Sequence, residues 1–159
     1  MAAAESTVWS GSSSQILNLK NFAFWGFIAF IGILVAIDGT AYEIAVVVIL
    51  VSSIAIAWNY FVIKMRVFEV TTQRLKMHSG VLSRETSELE FYRVTDTQFE
   101  QPFFLRIFGL ANLLLISSDK TSPVVRIEAI PNAGRLREQI REIIEQRRDL
   151  KRVRLSELE

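Results

Sequence analysis

The sequence predicts a membrane protein of the α+β class: a two-helix transmembrane hairpin, then a seven-stranded antiparallel barrel or sandwich capped by a C-terminal amphipathic helix. Three observations lead to this prediction. The apolar excess of the 159 residues lies before Lys64, whereas almost all of the charge follows it. Short alternating runs fill residues 66–130, and a helical period begins after Pro131. The length allows one domain plus an appendage.

Two apolar runs predict the transmembrane helices, at about residues 21–37 and 41–63. The first run has no charge between Phe22 and Ile37, and its roughly 16 residues make a helix of about 24 Å. That is slightly short of a hydrocarbon core of about 30 Å, but Lys20 can snorkel and extend the span. Two such runs joined by a very short link predict an antiparallel hairpin, and disfavour a buried core helix or a cleaved signal peptide.

Charges at the helix ends predict the orientation of the hairpin. Its tip carries Asp38 and Glu43, whereas its other ends carry Lys20 and Lys64. Because loops rich in Lys and Arg stay on the cytoplasmic side, both termini are expected there. The prediction is a multi-pass protein of the cell inner (cytoplasmic) membrane, with residues 1–20 as a cytoplasmic N-terminal segment.

Small residues at i, i+4 spacing predict where the two helices touch. Gly32 and Ala36 form one such pair in the first helix, and Ser53 and Ala57 form another in the second. Small side chains let helix backbones approach closely in lipid, where packing drives association. We therefore expect the two pairs to face each other, although small residues are also common in such helices without this role.

The region from residue 64 to about residue 150 predicts a single soluble domain with seven short strands and tight turns. Alternating hydrophobicity and turn residues such as Ser79-Gly80 mark the strand boundaries. The predicted strands are Arg66–Thr71, Arg74–His78, Val81–Thr86, Glu88–Tyr92, Val94–Glu100, Ala111–Ser117 and Val124–Glu128.

A helix is predicted after Pro131 and Asn132, with one apolar face that covers the open end of the strands. Charged residues occupy its other face, and residues 151–159 are expected to form a charged, fraying tail. The apolar stripe consists of Leu136, Ile140, Ile143 and Ile144.

A series of local motifs, in order along the chain, resembles the bacterial pleckstrin-homology (PH) family of membrane-anchored type. The resemblance extends over residues 8–148 and implies a seven-stranded bent barrel capped by a C-terminal helix. It implies no catalytic activity, because a PH-like fold serves lipid binding, peptide binding and scaffolding alike. The motifs are VWSGSSSQ (8–15), EVTTQRL (69–75), GVLSRET (80–86), LEFYRV (89–94), QP (101–102), RIFG (106–109) and SSD (117–119).

The composition argues against most enzyme classes and against nucleic-acid binding. The chain has no cysteine and a net charge of +1, so thiolate chemistry is excluded and no nucleic-acid partner is expected. His78 is the only histidine, and the carboxylates of residues 85–96 are expected to form a solvated, ion-paired face. We therefore predict no catalytic residue, no metal site and no cofactor.

Four basic residues are candidates for contact with the membrane surface: Lys64, Arg66, Arg74 and Lys76. They could bind anionic lipid or simply mark the cytoplasmic leaflet. The turn at residues 71–74 is short and holds one arginine, whereas PH domains that bind phosphoinositides carry several cations there. This departure weakens the case for phosphoinositide recognition.

An apolar segment between two predicted strands is the other candidate contact surface. It includes Phe103, Phe104, Leu105 and Phe108. As a short helical turn it is expected to bury Phe104, Ile107 and Phe108, and to leave Phe103 and Leu105 partly exposed. It either packs in the core or contacts the bilayer, the hairpin or another protein.

These observations favour a non-catalytic accessory or scaffolding subunit, whose partners are the lipid bilayer and other membrane protein subunits. An energy-transducing complex is one candidate host. The alternatives are a lipid-binding sensor or lipid-handling protein, and, with least support, a membrane enzyme.

Overall fold

A computed structural model gives the fold of residues 5–39, 41–119 and 122–156, with side chains through residue 149. Short 3₁₀ turns at Gln15–Asn18 and Phe91–Arg93 accompany the main elements. The main elements are β1 (Thr7–Ser12), α1 (Leu19–Asp38), α2 (Tyr42–Lys64), β2 (Val67–Thr71), β3 (Arg74–Ser79), β4 (Glu85–Glu90), β5 (Val94–Glu100), α3 (Phe103–Ile107), β6 (Leu110–Ser117), β7 (Val124–Pro131) and α4 (Ala133–Ser156).

Helices α1 and α2 match the two predicted apolar helices. With the turn before α1 they extend over 24 and 23 residues, which is long enough to cross a membrane. In the most apolar 18-residue stretch of each helix, only 6% (α1) and 11% (α2) of the stretch is buried. A core helix of a soluble protein would be mostly covered, so these helices present a large apolar surface to their surroundings.

The strands form two antiparallel sheets, in the orders β1-β2-β3-β4 and β5-β6-β7. The sheets enclose an apolar core that includes Leu75, Phe91, Leu113 and Ile127. The sequence predicted an antiparallel barrel or sandwich. Among the described strands, the two sheets are not joined by further pairing, so the domain is not a closed barrel.

The first sheet contains a strand from before the hairpin, which corrects the predicted domain boundary at residue 64. Strand β1 pairs with β2, with Ser12 opposite Val67. The Trp9 ring packs against the core and lies over Gly11, where a Cβ atom would come within 2.5 Å of it. The domain therefore contains residues that precede the hairpin in the sequence as well as residues that follow it.

The described residues form seven strands, the predicted number, but β1 was not among the predicted strands and one other assignment was wrong. The predicted strands Val81–Thr86 and Glu88–Tyr92 are replaced by the single strand β4, which follows a wide turn. At the turn, Gly80 has φ +106°, and a Cβ there would collide with the Ser83 carbonyl oxygen. The adjacent apolar residues Val81 and Leu82 lie in this turn, and Leu82 is exposed at its tip.

Helix α4 begins close to the predicted position and closes the core. Asn132, with φ +52°, precedes it, and the backbone NH of Arg135 donates to the Asn132 carbonyl. Leu136, Ile140 and Ile144 are buried and Ile143 packs against the core, as the apolar stripe predicted. The helix continues to Ser156, so most of the expected tail is helical, and residues 157–159 lie outside the described residues.

Strand direction gives the domain two ends. We call the end next to the helices the hairpin end. It includes Ser12 and Val67 of the first sheet. The second sheet reaches the same end, where the Ser14 NH donates to the Ala129 carbonyl (3.1 Å). The opposite end, with the turn from Thr71 to Arg74, is called the far end. Strand β2 runs from one end to the other, and its five residues span about 16 Å.

Candidate functional site

The helix interface of the hairpin is built around Gly32. A Cβ atom on this glycine would lie 3.0 Å from Ile49 and 3.3 Å from Val48, so the helices are in close contact there. On α2, Ala45 and Ser52 are buried at the interface side, and the Ser52 hydroxyl donates to the Val48 carbonyl (2.8 Å).

This arrangement corrects the prediction that Ser53 and Ala57 form the face of α2 that contacts α1. Ser53 and Ala57 are exposed, and Ala36 is half-buried. The Ser53 hydroxyl donates to the carbonyl of Ile49 in its own helix (2.8 Å). Small residues occur on several sides of α2, so spacing alone did not distinguish position 52 from position 53.

Amide side chains, which the sequence analysis did not single out, close the base of the hairpin. Asn18 Nδ2 donates to the Asn59 carbonyl (2.7 Å), and Gln15 Nε2 donates to the Tyr60 carbonyl (3.1 Å). Asn21 Nδ2 donates to Asn59 Oδ1 (3.2 Å). These bonds link the start of α1 to the last turns of α2, where polar groups in an apolar helix would otherwise need water.

Lys64 and Arg66 lie at the hairpin end. The Lys64 ammonium lies 5.4 Å from the centre of the Tyr60 ring, and Arg66 Nη1 lies 3.4 Å from Glu128 Oε2. Lys64 is exposed in the last turn of α2. These two cations flank the C-terminal end of α2, the position at which anionic headgroups meet a helix that spans a membrane.

Arg74 and Lys76 lie on strand β3, away from that end, and are held by carboxylates. Arg74 Nη1 lies 2.6 Å from Glu88 Oε2 and its Nε lies 3.3 Å from Glu5 Oε1, to which Lys76 Nζ is 3.6 Å away. The Thr71 hydroxyl donates to Glu5 (2.8 Å) and, with the two cations, lowers the pKa of its carboxyl. The structure thus separates the four predicted cations into two pairs.

The apolar segment around α3 exposes Phe103 as predicted, but its other apolar side chains are oriented opposite to the prediction. Leu105 is buried against Leu110 and Ala129. Phe103, Phe104, Ile107 and Phe108 are 73%, 67%, 61% and 49% exposed, although three of these four were expected in the core. The helix follows Pro102 directly, and Leu105 is its buried residue.

The turn between β3 and β4 places another apolar side chain at the hairpin end. Leu82 is 88% exposed. Together with Gly80 and Val81 it borders a shallow cleft of about 250 Å³, whose other wall is formed by Trp58, Val62 and Arg66.

A polar groove of about 300 Å³ lies between strand β5 and helix α4. Strand β5 has a paired neighbour on one side only among the described strands, and Arg148 Nη2 donates to the carbonyls of Val94 and Thr95. Charged residues were predicted on the outer face of α4, but this groove was not predicted. Its lining comprises Val94, Thr95, Asp96, Thr97, Arg137, Arg141, Ile144, Glu145 and Arg148.

Residues that an enzyme would need are engaged in ordinary structural contacts. His78 faces Thr86 across the sheet, with its Nδ1 3.1 Å from the threonine hydroxyl. Glu90 lies 3.5 Å from Arg93. No group of three or more potential metal ligands occurs within the described ranges.

The family comparison assigns the fold. The family model described as "Bacterial PH domain" matches residues 16–144. A search among curated proteins returns no match. This result leaves the family model as the basis of the assignment.

Three solved structures show partial similarity to the chain. A DUF1696 family protein with a pleckstrin-homology domain from Shewanella loihica PV-4 has 17% identity and a TM-score of 0.41, covering 52% of this chain and 73% of that one. The Vps36 N-terminal PH domain has 19% identity and a TM-score of 0.39, covering 51% and 62%. A PH domain from Shewanella amazonensis SB2B has 20% identity and a TM-score of 0.36, covering 47% and 63%. Because the family model matches most of the chain, this protein belongs to the bacterial PH domain family.

Proposed function

We propose that this chain is a non-catalytic, membrane-anchored PH-like module that holds a partner protein at the cytoplasmic face of a membrane, as an accessory or scaffolding subunit. PH domains are general protein or lipid interaction modules. The single observation that carries the proposal is the arginine-lined groove beside the open edge of β5.

Insertion of the hairpin in the inner membrane is supported by the exposed apolar surface of α1 and α2. The cytoplasmic placement of both termini is supported by the charges at its two ends. Asp38 and Glu43 lie at the tip, and Lys64 and Arg66 lie at the base. The domain then stands directly on the cytoplasmic surface.

The groove favours an extended acidic segment of a partner. The edge of β5 beyond Thr95, whose carbonyl accepts from Arg148, can accept another strand through backbone hydrogen bonds. The groove lining contains three arginines against two carboxylates. Arg137 also has a buried Nε without a hydrogen-bond partner among the described residues. An acceptor from the partner would remove the penalty of about 1–3 kcal/mol for such a group.

A lipid-sensing role has less support, because Arg74 and Lys76 are ion-paired within the domain, which leaves two of the four candidate cations, Lys64 and Arg66, for contact with headgroups. An enzymatic role has the least support, given the family and the contacts of His78. A membrane assembly, with energy-transducing complexes among the candidates, is therefore the proposed host.

Purification of the full chain from its native membrane in mild detergent tests the proposal. We expect a membrane protein to co-purify with the wild type and to be reduced in Arg141→Glu. The loss should be about tenfold or more, since a charge-assisted contact contributes about 1.5–3 kcal/mol. Arg135→Glu makes the same charge reversal on an exposed position of α4 outside the groove, and should retain the partner.

Thermal unfolding of both variants checks that the domain is intact. Equal recovery of partners in the two variants would remove the groove from the proposal. Recovery of the wild type only as a monomer would contradict the subunit function itself.

A further inference from the structure

We infer that the domain has a second contact with the bilayer: the exposed side chains of α3 and the tip of the β3–β4 turn lie in the lipid headgroup region beside the hairpin. The inference rests on the proposed insertion of the hairpin. It assigns the lipid surface, rather than a protein, as the occupant of this apolar face.

The first support is the chemistry of the α3 surface. Phe103, Phe104, Ile107 and Phe108 project outward from one short segment while Leu105 holds it to the domain. The rings of Phe103 and Phe104 are 6.0 Å apart in an edge-to-face arrangement. A connecting loop in water rarely exposes so much contiguous apolar surface, which marks a binding surface.

The second support is the attachment of α3 to the base of the hairpin. The Leu105 cluster is covered by Ile16 and Leu17, which belong to the turn immediately before α1. Because α1 starts at Leu19, the α3 surface lies close to the level at which the first helix leaves the bilayer.

The third support is the depth of the β3–β4 turn. Leu82 borders the same cleft as Trp58 and Val62. Trp58 lies about 9 Å along the helix axis before Lys64, at the end of the apolar run. A planar bilayer that covers Trp58 therefore also reaches Leu82, so the apolar wall of α2 continues onto the turn.

The charges around these side chains fit a phospholipid surface. Arg106 is exposed within α3, Arg84 is exposed in the turn, and Lys64 and Arg66 lie at the base of α2. Apolar side chains flanked by cations are typical of segments that lie in the interface, with their apolar groups about 5–10 Å below the headgroups. This arrangement would hold the domain in one orientation and direct the far end away from the membrane.

The test uses the full chain, which has no native cysteine. Single-cysteine variants Phe104→Cys and Leu82→Cys carry an environment-sensitive fluorophore in liposomes of phosphatidylcholine and phosphatidylglycerol. Nitroxide-labelled lipids then report depth. We expect shallow nitroxides to quench both positions strongly. Ser118→Cys, exposed at the far end, is the matched control and should remain unquenched.

Phe30→Cys, on the exposed surface of α1, separates this inference from the function on which it rests. Quenching there by deep nitroxides reports insertion of the hairpin, and its absence would overturn the proposed anchoring. Quenching at position 30 without quenching at 104 and 82 would overturn this inference alone. If the fluorophore at position 104 shows the emission of an apolar environment but lipid nitroxides do not quench it, the surface contacts protein rather than lipid. That result also overturns this inference.

Discussion

Glu5 shows at the residue scale how one side chain ties the start of the chain to the domain. It accepts a hydrogen bond from Thr71 and lies within 4 Å of two cations on β3. Two residues later, the Thr7 hydroxyl donates to Glu69 (2.6 Å). These contacts hold β1 in register against β2, and they engage Arg74 and Lys76 in ion pairs within the domain.

The lowered pKa of Glu5 predicts a pH dependence of stability. Its folded-state value lies below its ordinary value of 4.5, mainly because Thr71 donates to the carboxylate. The stabilisation is therefore present above pH 4.5 and is lost as the pH falls through the folded-state value. In thermal unfolding of the full chain, the difference between wild type and Glu5→Gln should be present near neutral pH and disappear in acid.

Glu138→Gln, an exposed carboxylate on α4, serves as the control for general acid effects. A difference between wild type and Glu5→Gln that stays constant down to about pH 3 would contradict this assignment.

At the scale of elements, helix packing decides which small residues matter. Gly32 lies against Ile49 and Val48, whereas Gly26 on the same helix has open space at its Cβ position. The amide groups of Asn18, Asn21 and Asn59 then hold the two helices together at the base. The hairpin is thus a packed pair whose outer surface is apolar.

Gly32→Leu is expected to separate α1 and α2, because the new side chain has no space beside Ile49. Overpacking of this kind typically costs about 1–3 kcal/mol. We expect a lower thermal midpoint for the full chain in detergent, measured by circular dichroism. Gly26→Leu is the matched control and should leave the midpoint near that of the wild type; equal destabilisation by both variants would show that Gly32 has no special packing role.

At the scale of the whole molecule, the hairpin is an insertion into the PH-like domain. Strand β1 precedes α1 and completes the first sheet after the chain has returned through α2. The domain and the hairpin are therefore connected twice, through Ser12–Leu19 and Lys64–Val67. Two short connections, with the Ser14 bond to the second sheet, restrict rotation of the domain relative to the hairpin.

Residues 64–156 alone are expected not to fold cooperatively, because they lack β1 and the packing of Trp9 against the core. Joining residues 5–14 to residues 66–156 through about six Gly and Ser residues, which span roughly 13 Å, should restore a cooperative thermal transition. Circular dichroism of the two proteins checks this expectation. Cooperative unfolding of residues 64–156 without β1 would show that the domain does not require the N-terminal strand.

Much of the architecture follows from local patterns in the sequence. Two long apolar runs, alternating strands and an apolar stripe after Pro131 predicted α1, α2, most of the sheet and α4, because burial imposes a period on each element. The ordered motifs also predicted the family. Turns are less apparent from the sequence: residues 81–86 were predicted as part of a strand, but Gly80 turns the chain there.

The sites depended on contacts between residues distant in sequence. Whether Leu105 or Phe104 is buried depends on how α3 packs against Ile16 and Leu17, which lie almost ninety residues earlier. The role of Arg74 likewise depends on Glu5, across the hairpin. The sequence established the apolar helices, the strand-rich domain and the family, since these arise from local periodicity and motifs. Tertiary packing established the exposed aromatic face, the pairing of the cations and the groove, because each is formed by side chains that only folding brings together.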